Sequence, residues 1–173
     1  YQTTRRGFVA SAKVVVNREG NTLQVIVSGY IGENAGLFDL NLTGIKKVAF
    51  DLSGVNYMNS VGVKNWINWT GRFPKTLEIE LHNCPTLIVN QVNMVAGFLP
   101  NNGTVESLTA PFMCNECNRE QNVTIRRGEE YQYASPAGLY KFKCPVIPCP
   151  KCQKPMELDA MEAKFFNFLK SHR

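Results

Sequence analysis

Six cysteines are unevenly placed along this chain of 173 residues: Cys84 stands alone, whereas Cys114, Cys117, Cys144, Cys149 and Cys152 crowd into the last third. Cys114 with Cys117 and Cys149 with Cys152 each have the Cys-x-x-Cys spacing, and 31 residues separate the pairs. Each pair lets one tight turn aim two thiolates at the same ion, and two such turns close a tetrahedral shell. Four thiolates leave no position for water, so the chemistry expected is structural Zn2+ rather than hydrolysis. The intervening residues are rich in Gly, Pro and charge and have too little core of their own, while a structural zinc supplies roughly 10–16 kcal/mol of apparent binding free energy in small peptides. Disulfides or free thiols are the alternative at this spacing. Cys144 is read as a buried thiol, as is Cys84, although it lies near enough in sequence to replace a ligand. Thiolates of this kind belong to a reducing compartment, so a cytoplasmic location is expected. Four Asn-x-Thr sequences, at Asn41, Asn68, Asn102 and Asn122, would matter only in a secretory pathway.

Catalytic patterns are thin. The two histidines, His82 and His172, have no neighbours suited to a triad or an open metal site, and no phosphate-cradling Gly-rich motif occurs. A non-enzymatic protein is expected. No run of about 18 apolar residues is present, which excludes a membrane-spanning helix, and the start "YQTTRRGFVA" lacks the apolar segment of a secretory signal. The formal charge of +5 is spread out: residues 1–113 carry 9 basic and 7 acidic side chains, 114–155 carry 7 and 4, and 156–173 carry 3 and 3. No segment is a basic patch, which argues against nucleic acid as the partner.

The elements that position these residues follow from periodicity. Gly7 to Val16 and Thr22 to Tyr30 read as antiparallel strands joined by the turn "NREGN", and "KKVAFDLS" as a short buried strand. Val63, Trp66, Ile67 and Thr70 mark the buried face of a helix ending near Gly71, with Asn65, Asn68, Trp69 and Arg72 opposite. "TLEIEL" is a further strand. Pro85 sits near the first turn of a second helix with the buried stripe Ile88, Val92, Val95 and Leu99, and "TVESLTAPF" serves as a fifth strand. Strands alternating with helices require crossovers, so part of the sheet is expected to be parallel. Three short β-like runs, Asn122 to Arg126, Glu130 to Ala134 and Leu139 to Lys143, lie between the cysteine pairs. Asp159 and Glu162 form an acidic variant of a capping box for a terminal helix with Met161, Phe165, Phe168 and Leu169 on one face.

The order of elements and the segment "VAFDLSGVNYMNSVGVKNW" resemble the STAS domain of bacterial anti-sigma-factor antagonists, in which a short buried strand leads to an Asp-Ser-Ser/Thr-Gly loop that opens the next helix. The similarity covers nearly all of residues 7 to 112, including "LQVIVSGYI" and "TLEIELHNCPTLIVNQVNMVAGFL". Aligning Gly62 with the motif glycine puts Asn59 at the aspartate, Ser60 at the first serine and Val61 at the phosphate-accepting position. Valine has no hydroxyl, so the family's phosphorylation switch does not transfer to that position. Ser60 has a structural reason to be present, since a serine just before a helix satisfies an orphan backbone N–H for about 1 kcal/mol.

The fold class expected is therefore α/β: a STAS-like mixed sheet packed with helices (1–112), a small zinc-ribbon β module (113–156) and a C-terminal helix (157–173). The function expected is protein interaction, with a partner that the resemblance implies to be an anti-sigma factor or a related kinase-like regulator. It would bind at Asn59, Ser60, Val61, Lys64, Asn68 and Trp69. The rival readings are a zinc ribbon that contacts nucleic-acid phosphates through Arg119, Arg126, Arg127, Lys141, Lys143, Lys151 and Lys154, and a thiol redox or metal-handling protein using Cys144.

Overall fold

The computed structural model describes residues 11–33, 40–136 and 138–171. Residues 7–10 of the expected first strand and His172 lie outside them. Strands β1 (Lys13–Glu19) and β2 (Thr22–Ile31) form the expected hairpin, turned by Gly20 at φ 61°, a conformation that costs glycine little. Then come β3 (Lys47–Met58), α1 (Ser60–Thr70), β4 (Glu78–His82), α2 (Thr86–Met94) and β5 (Gly103–Val105). The sheet order is β1-β2-β3-β4-β5, antiparallel at β1-β2 and parallel elsewhere. This is the mixed α/β layer that crossovers through α1 and α2 demand.

Alternation along the strands buries one face. Leu23, Val25 and Val27 of β2, Val48, Phe50 and Leu52 of β3, and Ile79 and Leu81 of β4 turn toward the helices. Phe50 is the centre, with the rings of Trp66 at 5.2 Å, Trp69 at 5.5 Å and Phe73 at 6.2 Å. Trp66 donates its indole N–H to the Phe98 carbonyl at 3.0 Å, so its burial leaves no polar group unpaired.

The expected fifth strand divides at Glu106. β5 stays in the first sheet, while β6 (Ser107–Cys114) leaves it and carries the chain into a second sheet with β7 (Arg119–Arg126). A backbone pair, Cys84 N–H to the Ser107 carbonyl at 3.0 Å and Thr109 N–H to the Cys84 carbonyl at 2.9 Å, ties the two sheets. β8 (Tyr131–Gln132) and β9 (Lys141–Phe142) make a small ribbon, and β10 (Ile147–Pro148) and β11 (Pro155–Leu158) complete the second sheet in the order β10-β11-β6-β7.

The terminal segment is shorter than its pattern predicts. Helix α3 spans Glu162–Phe165 and a 3-10 turn spans Asn167–Lys170. Met161 stands at the N-cap without a side-chain bond, and the Asp159 N–H goes to Pro111, so no capping box forms. Asn93 of α2 pins the segment instead, donating to the Phe165 carbonyl at 2.8 Å and accepting from Phe168 N–H at 2.9 Å. Phe165, Phe166, Phe168 and Leu169 are all buried, packing around Tyr131, Tyr133 and Phe142. Met161 of the expected stripe is 63% exposed, and Phe166, outside that stripe, is buried in its place. No helix among the described residues is long and apolar enough to cross a membrane.

Candidate metal centre and interaction surface

Two hairpin tips meet at the cysteines. Cys114 ends β6 and Cys117 precedes β7, while Cys149 and Cys152 lie in the turn between β10 and β11. β11 pairs with β6, Glu157 opposite Met113, which sets the two turns side by side. Both turns have one design. The N–H four residues after the first cysteine returns to its carbonyl, Asn118 to Cys114 at 2.8 Å and Gln153 to Cys149 at 2.9 Å. The same two residues sit at positive φ, 53° and 61°. That left-handed step reverses the chain immediately after the second thiol.

The four sulfurs lie within 4.8 Å of one another, with Cys114 to Cys152 at 3.4 Å, Cys117 to Cys149 at 3.5 Å and Cys117 to Cys152 at 3.9 Å. A tetrahedron with metal–sulfur bonds of about 2.3 Å has edges of about 3.8 Å. These separations fit a metal ion and are far from the length of about 2.05 Å of a disulfide. Backbone N–H groups of Cys152 and then Lys151 hold the Cys149 thiol down at about 6, despite its burial. Burial, followed by the neighbouring thiols of Cys149 and Cys114, pushes Cys117 up to about 12. Four cysteines of the right geometry thus stand together, able to hold a metal ion. Cys84 is buried as expected, and burial pushes its thiol well above the ordinary range. Cys144 is not: it is exposed, in the loop after β9, with its sulfur 3.8 Å from the carbonyl oxygen of its neighbour Pro145.

The junction of β3 and α1 differs from its expected form at two residues. The helix cap is Asn59, not Ser60: the Asn59 side chain accepts from Gly62 N–H at 2.8 Å, and Ser60 is already the first helical residue, exposed. Trp69 is not on the surface but 4% exposed against Phe50 and Trp66. The buried stripe of α1 is Gly62, Trp66, Trp69 and Thr70, about one residue out of phase with the pattern expected. Gly62 is the reason. Its backbone lies against the Ile31 carbonyl so closely that any β-carbon would collide with that oxygen, and this approach fixes the roll of the helix.

The remaining residues of the expected surface do face outward. Ser60, Lys64 and Asn68 are exposed at spacings of four, and Val61 is 39% exposed. Beside them stands an aromatic pair that sequence reasoning missed. Tyr57 of β3, 57% exposed, stacks on Tyr30 of β2 with ring centroids 5.2 Å apart. Asn59 donates to the Tyr30 hydroxyl at 2.6 Å and to Glu33 at 3.1 Å, and Asn65 donates to the Gly32 carbonyl at 3.2 Å. Burial and then the Glu33 carboxylate push the Tyr30 phenol up, which keeps it neutral. The cap residue thus also holds an aromatic shelf in place.

No protein-family model matches the chain, and no curated protein matches it. Among solved structures the chain is similar to an anti-sigma factor antagonist from Mycobacterium paratuberculosis, at 20% identity over 43% of this chain and 68% of that chain, with a TM-score of 0.37.

Proposed function

We propose that this protein is a non-enzymatic interaction module in which a structural Zn2+ at Cys114, Cys117, Cys149 and Cys152 secures the ribbon and the β3–α1 junction binds a protein partner. The observation that carries the binding surface is the arrangement around Asn59. One side chain caps α1 and bonds Tyr30, so Val61, Lys64 and Asn68 on the helix and Tyr57 on the strand form one preorganised patch. Exposed aromatic and apolar groups held rigidly beside polar ones suit a protein interface, because little entropy is lost on docking. The partner implied by the sequence resemblance is an anti-sigma factor or a related kinase-like regulator. Val61, at the position where that family accepts phosphate, makes binding constitutive with respect to a phosphate there.

Co-purification from the native host tests the surface. Val61→Asp and Tyr57→Ala should each reduce recovery of the partner about tenfold or more while leaving the melting temperature within about 2 °C, since exposed positions contribute little to stability. Recovery unchanged in both variants would overturn the reading. Elemental analysis of protein purified without added metal should give one zinc per chain, and less than about half an equivalent of any metal in folded, reduced protein would remove the metal assignment.

A further inference from the structure

We propose that the outer edge of β1 pairs with β1 of a second copy, antiparallel about a two-fold axis at Val16, to make a dimer with one sheet running through both chains. β1 ends the sheet order, and no described strand covers its outer edge. Its seven residues, Lys-Val-Val-Val-Asn-Arg-Glu, are exposed or half-buried, and Val15 and Val16 are both more than a third exposed. Ile26 of β2, opposite Val15 and equally exposed, widens the apolar strip. Strand edges left free in monomers are usually broken by a bulge, a proline or an inward-pointing charge. β1 has no proline, and its register with β2 runs without a shift from Lys13 to Glu19; its one charge on the helix-side face, Arg18, sits beside the turn and donates to the Gly20 carbonyl at 3.1 Å, leaving Val14 and Val16 uninterrupted.

The opposite edge is closed. Val105 of β5 donates its N–H to the Tyr133 hydroxyl at 2.7 Å, and its carbonyl accepts from the Tyr131 hydroxyl at 2.7 Å. With one edge of this sheet open and the other capped, pairing through this sheet ends at two copies.

Geometry selects the register. The two-residue loop Gly20–Asn21 makes Glu19 and Thr22 a hydrogen-bonded pair, so alternation directs the backbone N–H and C=O groups of Val14, Val16 and Arg18 away from β2. A two-fold axis perpendicular to the sheet keeps each side chain on its own face, so even residues must oppose even residues and odd must oppose odd. Centring the axis on Val16 pairs Val14 with Arg18 and Val16 with itself, which gives about six backbone bonds. It also sets Lys13 of each copy opposite Glu19 of the other, on the face away from the helices. Centring on Val15 would leave Lys13 opposite Asn17 and Glu19 opposite Ser11. Centring on Asn17 would put Lys13 opposite the turn and Glu19 opposite Val15. Only the Val16 register uses the whole strand and matches opposite charges at both ends.

Sedimentation of the full chain, with charge reversals, tests this. The wild type should form a dimer in the range of tens of micromolar, and Lys13→Glu or Glu19→Lys alone should weaken it about tenfold or more, because each reversal creates two like-charge pairs. Lys13→Glu combined with Glu19→Lys restores both pairs and should bring the dissociation constant back to within about threefold of wild type. Thermal melts of the four proteins at about 1 micromolar, where all are monomers, should agree, since the positions are exposed. A wild type that stays monomeric to about 100 micromolar would overturn the proposal. So would a dimer indifferent to the single reversals, or a double variant as weak as either single one.

Discussion

The α/β layer and the cysteine hairpins are stabilised by different means. In the first, five strands and two helices enclose Phe50, Trp66, Trp69, Ile79 and Leu81, all buried, and hydrophobic burial is the organising force. In the second, β7 shows solvent along nearly its whole length, β9 and β10 have two residues each, and the groups that converge at the tip are sulfurs. Burial is distributed over many contacts, so loss of one side chain weakens the first region in proportion to the area it buried. With the proposed metal bound, ligation is concentrated in four atoms, so the second should fail as a unit.

The largest effect that would expose this contrast is loss of one ligand. Cys149→Ser should reduce bound metal from one equivalent to below about a tenth and unfold the β6–β7 and β10–β11 tips, because three ligands forfeit most of a binding free energy of roughly 10 kcal/mol or more. Elemental analysis and far-ultraviolet dichroism would measure both. In the other region, Trp66→Ala and Trp69→Ala should each cost about 3–5 kcal/mol by denaturant titration, whereas Lys64→Ala on the outer face should stay within about 0.5 kcal/mol. A cheap Trp69→Ala would return that side chain to the surface where the sequence pattern had put it.

That misplacement shows which features are written locally. Cys-x-x-Cys pairs were legible because two ligands of one turn are close in sequence, and the β1–β2 hairpin because Gly-Asn sits between two alternating runs. The approximate span of α1 was legible too, but its roll was not. The approach of Gly62 to Ile31 is a backbone contact with no hydrophobic signal, and it turns the helix by about one residue. The Asn59 cap and the Tyr30–Tyr57 shelf depend on β3 running on to Met58, beyond the apolar stretch that marks it. The helical spacing of Met161, Phe165, Phe168 and Leu169 predicts a longer helix than the terminal segment forms. The contacts that end it come from Asn93, more than 70 residues earlier.

A smaller effect separates the open face of the sheet from the metal tip. Burial pushes the Asp51 carboxyl up, but hydrogen bonds from Ser53 and Asn83 outweigh it and hold the group below its ordinary value of 3.8. Glu80, likewise pushed up by burial, is held below 4.5 by Lys47 and His82. Both carboxyls bind protons more weakly in the folded chain, so their stabilisation is present above those values and is lost as pH falls below them toward the folded values. Asn83→Ala should therefore lower the melting temperature at about pH 6 and do so less at about pH 3. A deficit equal at both would mean that the Asn83 side chain stabilises the fold without acting through Asp51. The smallest effect lies in the second knuckle. At φ 61°, Gln153→Gly should gain about 0.5 kcal/mol, the left-handed penalty relieved less the entropy cost of glycine.

Amide hydrogen exchange on the full chain, before and after metal removal by a chelator under reducing conditions, tests the division most directly. The account predicts that amides of β7 and β11 lose protection together while those of β2, β3 and β4 keep theirs. Equal loss in β3, or no change at Arg119–Arg126 once the metal has gone, would contradict it.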